Sequence, residues 1–117
     1  MQSAFTSVFG GLDPFVTSIM HGEHKWDAQG RPVSAHHFGR AIDVGAFGGT
    51  AIGVNQPTVA ALVRAIVSGR FEKIGTLKAL IDSPALQRLA AMYHTELFQD
   101  DEQTGASGPH VHFQVAA

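Results

Sequence analysis

Residues 110–115 read HVHFQV, and this stretch bears on both the fold and the candidate site. It alternates polar and apolar residues, which is the period of a β-strand with one buried face. Because successive side chains of a strand point to opposite faces, His110 and His112 share one face. Two imidazoles about 7 Å apart along a strand can serve one metal ion or one ligand and base pair. They can equally be hydrogen-bonded residues of a half-buried sheet.

A second stretch, residues 34–43, reads SAHHFGRAID and ends inside a short apolar strand. Asp43 is disfavoured in a strand and is costly to bury unless it is paired or bound to a metal. A cation shared with His36 and one strand histidine would supply that partner. Two nitrogens and one carboxylate oxygen, with a fourth position left for water, are the ligand set of a catalytic zinc site. An ion pair of Asp43 with Arg31 or Arg40 is the alternative.

Composition limits the classes of protein to which the chain can belong. Of its 117 residues 44% are hydrophobic and 15% charged, which favours one globular domain over residues 1–117 and excludes a disordered chain. The net charge of −2, with no Lys or Arg cluster, argues against nucleic acid and anionic membranes as partners. Cysteine is absent, so any metal must bind to His and carboxylate groups. We expect a monomer without a signal peptide or membrane span.

Local patterns predict an α+β domain, a small antiparallel sheet with helices packed on it and a zinc site on the sheet face. A helix is predicted between Asn55 and Gly69, where a cap, a first-turn proline and a stop residue frame an apolar stripe. A helical turn is predicted at 77–81, and a further helix from Pro84 to near Phe98 that includes His94. Strands are predicted at 15–19, 40–44, 71–75 and 110–115, and loops at 20–39 and 99–109.

These motifs together resemble a known family of peptidases. The pattern S-x-H-x-x-G-x-A-x-D, followed by a C-terminal H-x-H, is similar to that of the D-Ala-D-Ala metallopeptidase family. That family shares its zinc-site architecture with lysostaphin-type endopeptidases and the hedgehog signalling domain. The chain resembles in particular the compact members found in bacteriophage and prophage genomes, over roughly residues 15–115. The residues that fill the first pattern are Ser34, His36, Gly39, Ala41 and Asp43.

The resemblance implies an activity, a cofactor and a set of roles. Zinc (Zn²⁺) would be bound by His36, Asp43 and His112, and His110 would be catalytic beside the water that zinc activates. The implied substrates are the stem peptides of bacterial peptidoglycan, which makes the chain a cell-wall hydrolase such as an endolysin or a virion-associated enzyme. Substrate-binding or supporting roles fall to three further residues, Ser34, His24 and Arg40.

One departure from the family pattern leaves the general base open. Many members carry Glu or Asp two or three residues before the last zinc histidine, whereas Gly108, Pro109 and His110 stand there in this chain. His110 is the first candidate for the base, and a loop carboxylate, Asp101 or Glu102, is the second. The missing carboxylate also keeps a second function open, a non-catalytic zinc-containing module that binds peptide or cell wall. A separate alternative is a structural domain of a phage particle that binds no metal.

Overall fold

The structure is a computed structural model that describes residues 2–18, 41–100 and 108–116. Within these ranges the chain forms four helices and six strands. The helices are α1 (Gln2–Phe9), α2 (Gln56–Ser68), α3 (Lys78–Ile81) and α4 (Pro84–Met92). The strands are β1 (Pro14–Ser18), β2 (Ala41–Phe47), β3 (Thr50–Ala51), β4 (Lys73–Thr76), β5 (Glu96–Gln99) and β6 (Val111–Gln114).

The six strands form one sheet, and β6 lies at its centre. The strand order is β1-β2-β6-β4-β5, with β3 paired to β2. β6 is antiparallel to both of its neighbours, β2 and β4, while β4 and β5 are parallel. The predicted α+β class is therefore confirmed, and the sheet is mostly antiparallel with one parallel pair.

One face of this sheet is covered by helices and forms the hydrophobic core. Phe9 of α1 packs against Phe47, Phe71 and Phe113, with ring centroids 4.8 to 5.9 Å apart. Leu62 and other apolar residues of α2 belong to the same buried cluster. The apolar side chains of the central strands point to this face. Because successive side chains of a strand alternate, the polar side chains between them point to the opposite face.

Helix α2 confirms the predicted helix and both of its ends, although Val63 and Val67 of the predicted apolar stripe are exposed. The side chain of Asn55 caps it by accepting a hydrogen bond of 3.0 Å from the Thr58 backbone N–H. Gly69 ends it with φ at +67°, a conformation that glycine adopts without steric cost. The capping residue and the glycine at the two ends determine where this helix begins and ends, so local sequence is sufficient to predict its bounds.

The predicted helix from Pro84 to near Phe98 is too long. Helix α4 ends at Met92, and His94 lies outside it, exposed and with φ at +58°. The chain then enters β5, which the sequence interpretation did not include. Leu97 lies at the spacing of the helix's apolar stripe, and for this reason the predicted helix extends too far. In the structure Leu97 packs against the core from a strand instead.

The first helix was also missing from the prediction, because residues 1–13 show only a weak pattern. α1 places Phe5, Val8 and Phe9 in the core, so long-range packing defines it more than local signals do. The predicted strand at 15–19 corresponds to β1. The predicted loop 20–39 lies outside the described residues. In the part of the chain that is described, no helix is long and apolar enough to span a membrane.

Candidate metal centre

Asp43 and His112 face each other on the two neighbouring strands β2 and β6. They are direct partners in the antiparallel register, and Nδ1 of His112 lies 3.0 Å from Oδ1 of Asp43. Their side chains are 19% and 13% exposed. Ile42 and Val44 turn toward the core, so the intervening Asp43 must point to the opposite face. The sequence predicted that these two residues share a site, and the structure brings them together.

The second ring nitrogen of His112 also has a partner. Nε2 lies 3.1 Å from Oε1 of Gln114, two residues further along the same face of β6. A carboxylate and an amide oxygen are both acceptors, so each ring nitrogen must donate a hydrogen in the chain without metal. Burial lowers the pKa of His112, but the hydrogen bonds to Asp43 and Gln114 and the charges of Asp43 and Asp100 outweigh it, and the pKa is raised.

Gly75 and Phe98 complete the same row of the sheet on the far side of His112. Gly75 pairs with His112 across β4 and β6, and with Phe98 across β4 and β5. The Phe98 ring lies over the glycine so closely that an added Cβ would come within 2.4 Å of it. The ring reaches His112 with centroids 6.0 Å apart in an edge-on arrangement. The Phe98 ring therefore packs beside the His112 imidazole on the side of β5.

His110 forms a second histidine–carboxylate pair near the first. Its Nε2 lies 3.0 Å from Oδ2 of Asp100, and its Nδ1 lies 3.2 Å from the Gly108 carbonyl oxygen. The Thr76 hydroxyl donates a hydrogen bond of 3.0 Å to the His110 carbonyl. His110 is buried, and the Asp100 side chain is the more exposed member of the pair, at 17% against 6%. The charge of Asp100 also contributes to the raised pKa of His112.

Asp100 is the site residue that the sequence interpretation missed. It follows β5, a strand that was predicted as the end of a helix, so nothing placed it beside the site. Its backbone N–H donates to the Thr76 carbonyl and prolongs the β4–β5 pairing. The loop carboxylates that are the second candidates for the base, Asp101 and Glu102, lie outside the described residues. A correct prediction of β5 would have identified Asp100 as an acidic residue at the end of a strand, and this position is the signal that could have indicated a site residue.

Four of the predicted site residues lie outside the described residues, and for them the sequence prediction stands as made. They are His24, Ser34, His36 and Arg40, and the alternative ion-pair partner Arg31 lies there as well. Within residues 2–18, 41–100 and 108–116 no group of three or more metal-ligating side chains is assembled. Two of the three predicted ligands, Asp43 and His112, are nevertheless adjacent.

The Asp43–His112 pair fits a zinc ion in distance and in chemistry. Zinc binds carboxylate oxygen and imidazole nitrogen at about 2.0 to 2.2 Å, so two such ligands of a tetrahedral ion are about 3.3 Å apart. The 3.0 Å separation of Nδ1 and Oδ1 is that of a hydrogen bond, and a widening of about 0.3 Å would give the spacing of two zinc ligands. The outer nitrogen of a zinc-bound histidine usually donates to a protein acceptor, and Gln114 offers one.

No protein-family model, curated protein or solved structure matches the chain.

Proposed function

We propose that the chain is a zinc-dependent peptidase that hydrolyses peptide bonds of bacterial peptidoglycan stem peptides, as a carboxypeptidase or an endopeptidase. The observation that carries the proposal is the direct pairing of Asp43 with His112 across β2 and β6. A carboxylate and an imidazole that meet on a half-buried sheet face suit a cation better than they suit a hydrophobic core. The substrate class rests on the motif resemblance, which contains both residues in the expected order.

His36, Asp43 and His112 would hold the zinc ion. When bound, zinc supplies Lewis-acid activation of water and of the scissile carbonyl, so that no side-chain nucleophile is required. The chain has no cysteine and thus lacks the strongest protein nucleophile. Asp43 contributes the negative charge of the site, and His112 is held between Asp43 and Gln114.

His110 and Asp100 are the groups that move protons in this proposal. A histidine hydrogen-bonded to a carboxylate is a common arrangement for general acid–base catalysis. The hydrogen bond from Thr76 fixes the backbone of His110, while Asp100 fixes its ring. Asp100 provides the carboxylate that is missing at the usual spacing before His112, since the fold brings it in from the end of β5.

The setting of the enzyme follows from the same resemblance. The chain acts on the bacterial cell wall as an endolysin, as a virion-associated bacteriophage enzyme or after export by another route. Ser34, His24 and Arg40 bind substrate or support the ligands. The chain works as a monomer on a peptide substrate, without nucleic acid or membrane as a partner.

A second candidate function is a non-catalytic zinc-containing module that binds peptide or cell wall. One observation favours it: His110 is only 4% exposed, and both of its ring nitrogens lie near acceptors of the chain itself. These contacts also suit a purely structural role, in which His110 links Gly108 and Asp100 without taking part in catalysis. The two functions differ in turnover, which an experiment measures directly.

Digestion of purified peptidoglycan by the zinc-loaded protein, with mass spectrometry of the fragments, tests the proposed function. We expect release of stem-peptide fragments that a chelator abolishes. His110→Ala and Asp100→Asn should each retain zinc and lose about two or more orders of magnitude in rate, the usual scale for an acid–base group. The double variant should be no slower than the slower single variant, because the two residues act as one unit.

Asp82→Asn is the matched control, since Asp82 is an exposed carboxylate that pairs only with Lys78 among the described contacts. Zinc-loaded protein that binds peptidoglycan but releases no fragment would establish the binding module. Full activity of His110→Ala would remove the dyad from the mechanism. Loss of zinc from that variant would instead make His110 a ligand.

A further inference from the structure

We propose that Gln114 is a positioning residue of the metal centre, which holds His112 so that Nδ1 is the ring atom offered to the cation. The inference rests on the metal site of the proposed function, but not on peptidase activity. Gln114 and His112 are two residues apart in β6, so their side chains stand on the same face of the sheet. Oε1 of Gln114 lies 3.1 Å from Nε2 of His112.

The orientation of the Gln114 amide follows from its second contact. Its Nε2 lies 3.5 Å from Oε2 of Glu72. A carboxylate only accepts hydrogen bonds, so the amide nitrogen belongs on the Glu72 side and the amide oxygen on the His112 side. The Glu72 backbone N–H donates to the Gln114 carbonyl at 2.8 Å, which keeps the two residues side by side.

This orientation determines which nitrogen of His112 can bind a metal. Because Gln114 presents an acceptor, Nε2 must carry a hydrogen, and a protonated ring nitrogen has no lone pair for a cation. Nδ1 faces Oδ1 of Asp43 at 3.0 Å. It also carries a hydrogen in the chain without metal, but a cation that binds between Nδ1 and the Asp43 carboxylate displaces that hydrogen, while the hydrogen on Nε2 remains bonded to Gln114. Glu72 thus orients Gln114, and Gln114 selects the ligating nitrogen of His112.

The experiment measures zinc affinity by competition with a chelator at one fixed pH, using the full chain. We expect Gln114→Leu to weaken zinc binding about 10- to 100-fold, the usual effect of losing an outer partner of a ligand. Gln99→Leu is the matched control, because Gln99 is an exposed glutamine on β5, which β4 separates from β6, and the variant should leave the affinity within about twofold. If the leucine variant does not fold, Gln114→Asn replaces it, since its shorter side chain keeps the polarity but withdraws the oxygen.

Two further measurements separate positioning from general stability. Long-range ¹H–¹⁵N NMR of the zinc-loaded wild type should show a hydrogen on Nε2 of His112 and the metal on Nδ1. Exchanging the partners, Glu72→Gln together with Gln114→Glu, keeps an acceptor toward His112 and should restore most of the affinity lost in Gln114→Leu.

The outcomes are distinct for the two proposals. An unchanged zinc affinity in Gln114→Leu, or metal on Nε2 in the wild type, would overturn the role of Gln114. A wild type that binds no zinc would overturn this role and the metal-dependent function together. Zinc binding that depends on Gln114 in a protein that releases no peptidoglycan fragment would support the positioning role and reject the peptidase.

Discussion

The two faces of the central strands show how differently one stretch of chain can be used. On the core face Val44, Val111 and Phe113 are fully buried against helices. On the other face, one residue away, Asp43 and His112 remain partly exposed and join through hydrogen bonds. The core face depends on buried area and volume, which several residues share. The site face depends on individual atoms, so single substitutions there should change binding more than stability.

The largest effect on stability should come from breaking the core face. Phe113 is fully buried and contacts three other phenylalanine rings, so Phe113→Ala should lower the free energy of unfolding by about 3 to 5 kcal/mol. That is a large part of the roughly 5 to 15 kcal/mol that holds a domain together. Denaturant unfolding measures it. Phe15→Ala, at a ring 66% exposed, is the control and should stay within about 0.5 kcal/mol. Equal losses in the two variants would contradict the assigned core.

Asp43→Ala should break the site face and leave the core in place. Zinc affinity should fall by more than the roughly 10- to 100-fold typical of an outer partner, because a ligand itself is lost. Metal analysis after dialysis and chelator competition measure the loss, and circular dichroism checks that the fold persists. Asp82→Ala is the control on an exposed carboxylate. Full zinc occupancy in Asp43→Ala would show that the ligand assignment is wrong.

Gly75→Ala tests whether packing also matters on the site face. The new methyl group would meet the Phe98 ring, so the variant should lose about 1 to 3 kcal/mol of unfolding free energy. It should also weaken zinc binding, since the displaced ring no longer supports His112. The double variant Gly75→Ala with Phe98→Leu should recover part of the stability. No loss in the single variant would mean that Phe98 turns aside freely.

The smallest effect concerns pH. The pKa of His112 is raised in the folded chain without metal. Protonated His112 therefore contributes fully to the free energy of unfolding at pH values below the pKa of this histidine in the unfolded chain. The contribution is lost as pH rises through the raised pKa of the folded chain. The contribution should be on the order of 1 kcal/mol, the scale of a hydrogen bond. Denaturant unfolding of the metal-free protein over this pH range measures the contribution. The same measurement on Asp43→Asn is the comparison, and its free energy of unfolding should fall less as pH rises. A difference that grows with pH would refute the assignment.

Sequence reasoning succeeded where local signals agree with the fold. The alternation in β6 placed His112 on the face opposite Phe113, and the cost of an aspartate in an apolar strand identified Asp43. It failed where tertiary contacts decide. The apolar spacing from α4 to Leu97 is compatible with a longer helix and with a helix followed by a strand. The turn at His94 ends the helical part, so Leu97 lies in a strand. Asp100 was missed as a consequence, because its place beside His110 depends on that turn.

The central position of β6 has a consequence for the order in which the protein can assemble. β6 follows the other five described strands along the chain, yet it is the strand that joins β2 to β4. Until β6 has been synthesised, no described strand joins the β1–β2–β3 part of the sheet to the β4–β5 part. A chain at that stage also lacks His110 and His112. Pairing of β6 with β2 therefore joins the sheet and also brings His112 to Asp43, so the same strand completes the described sheet and the pair of residues in the proposed zinc site.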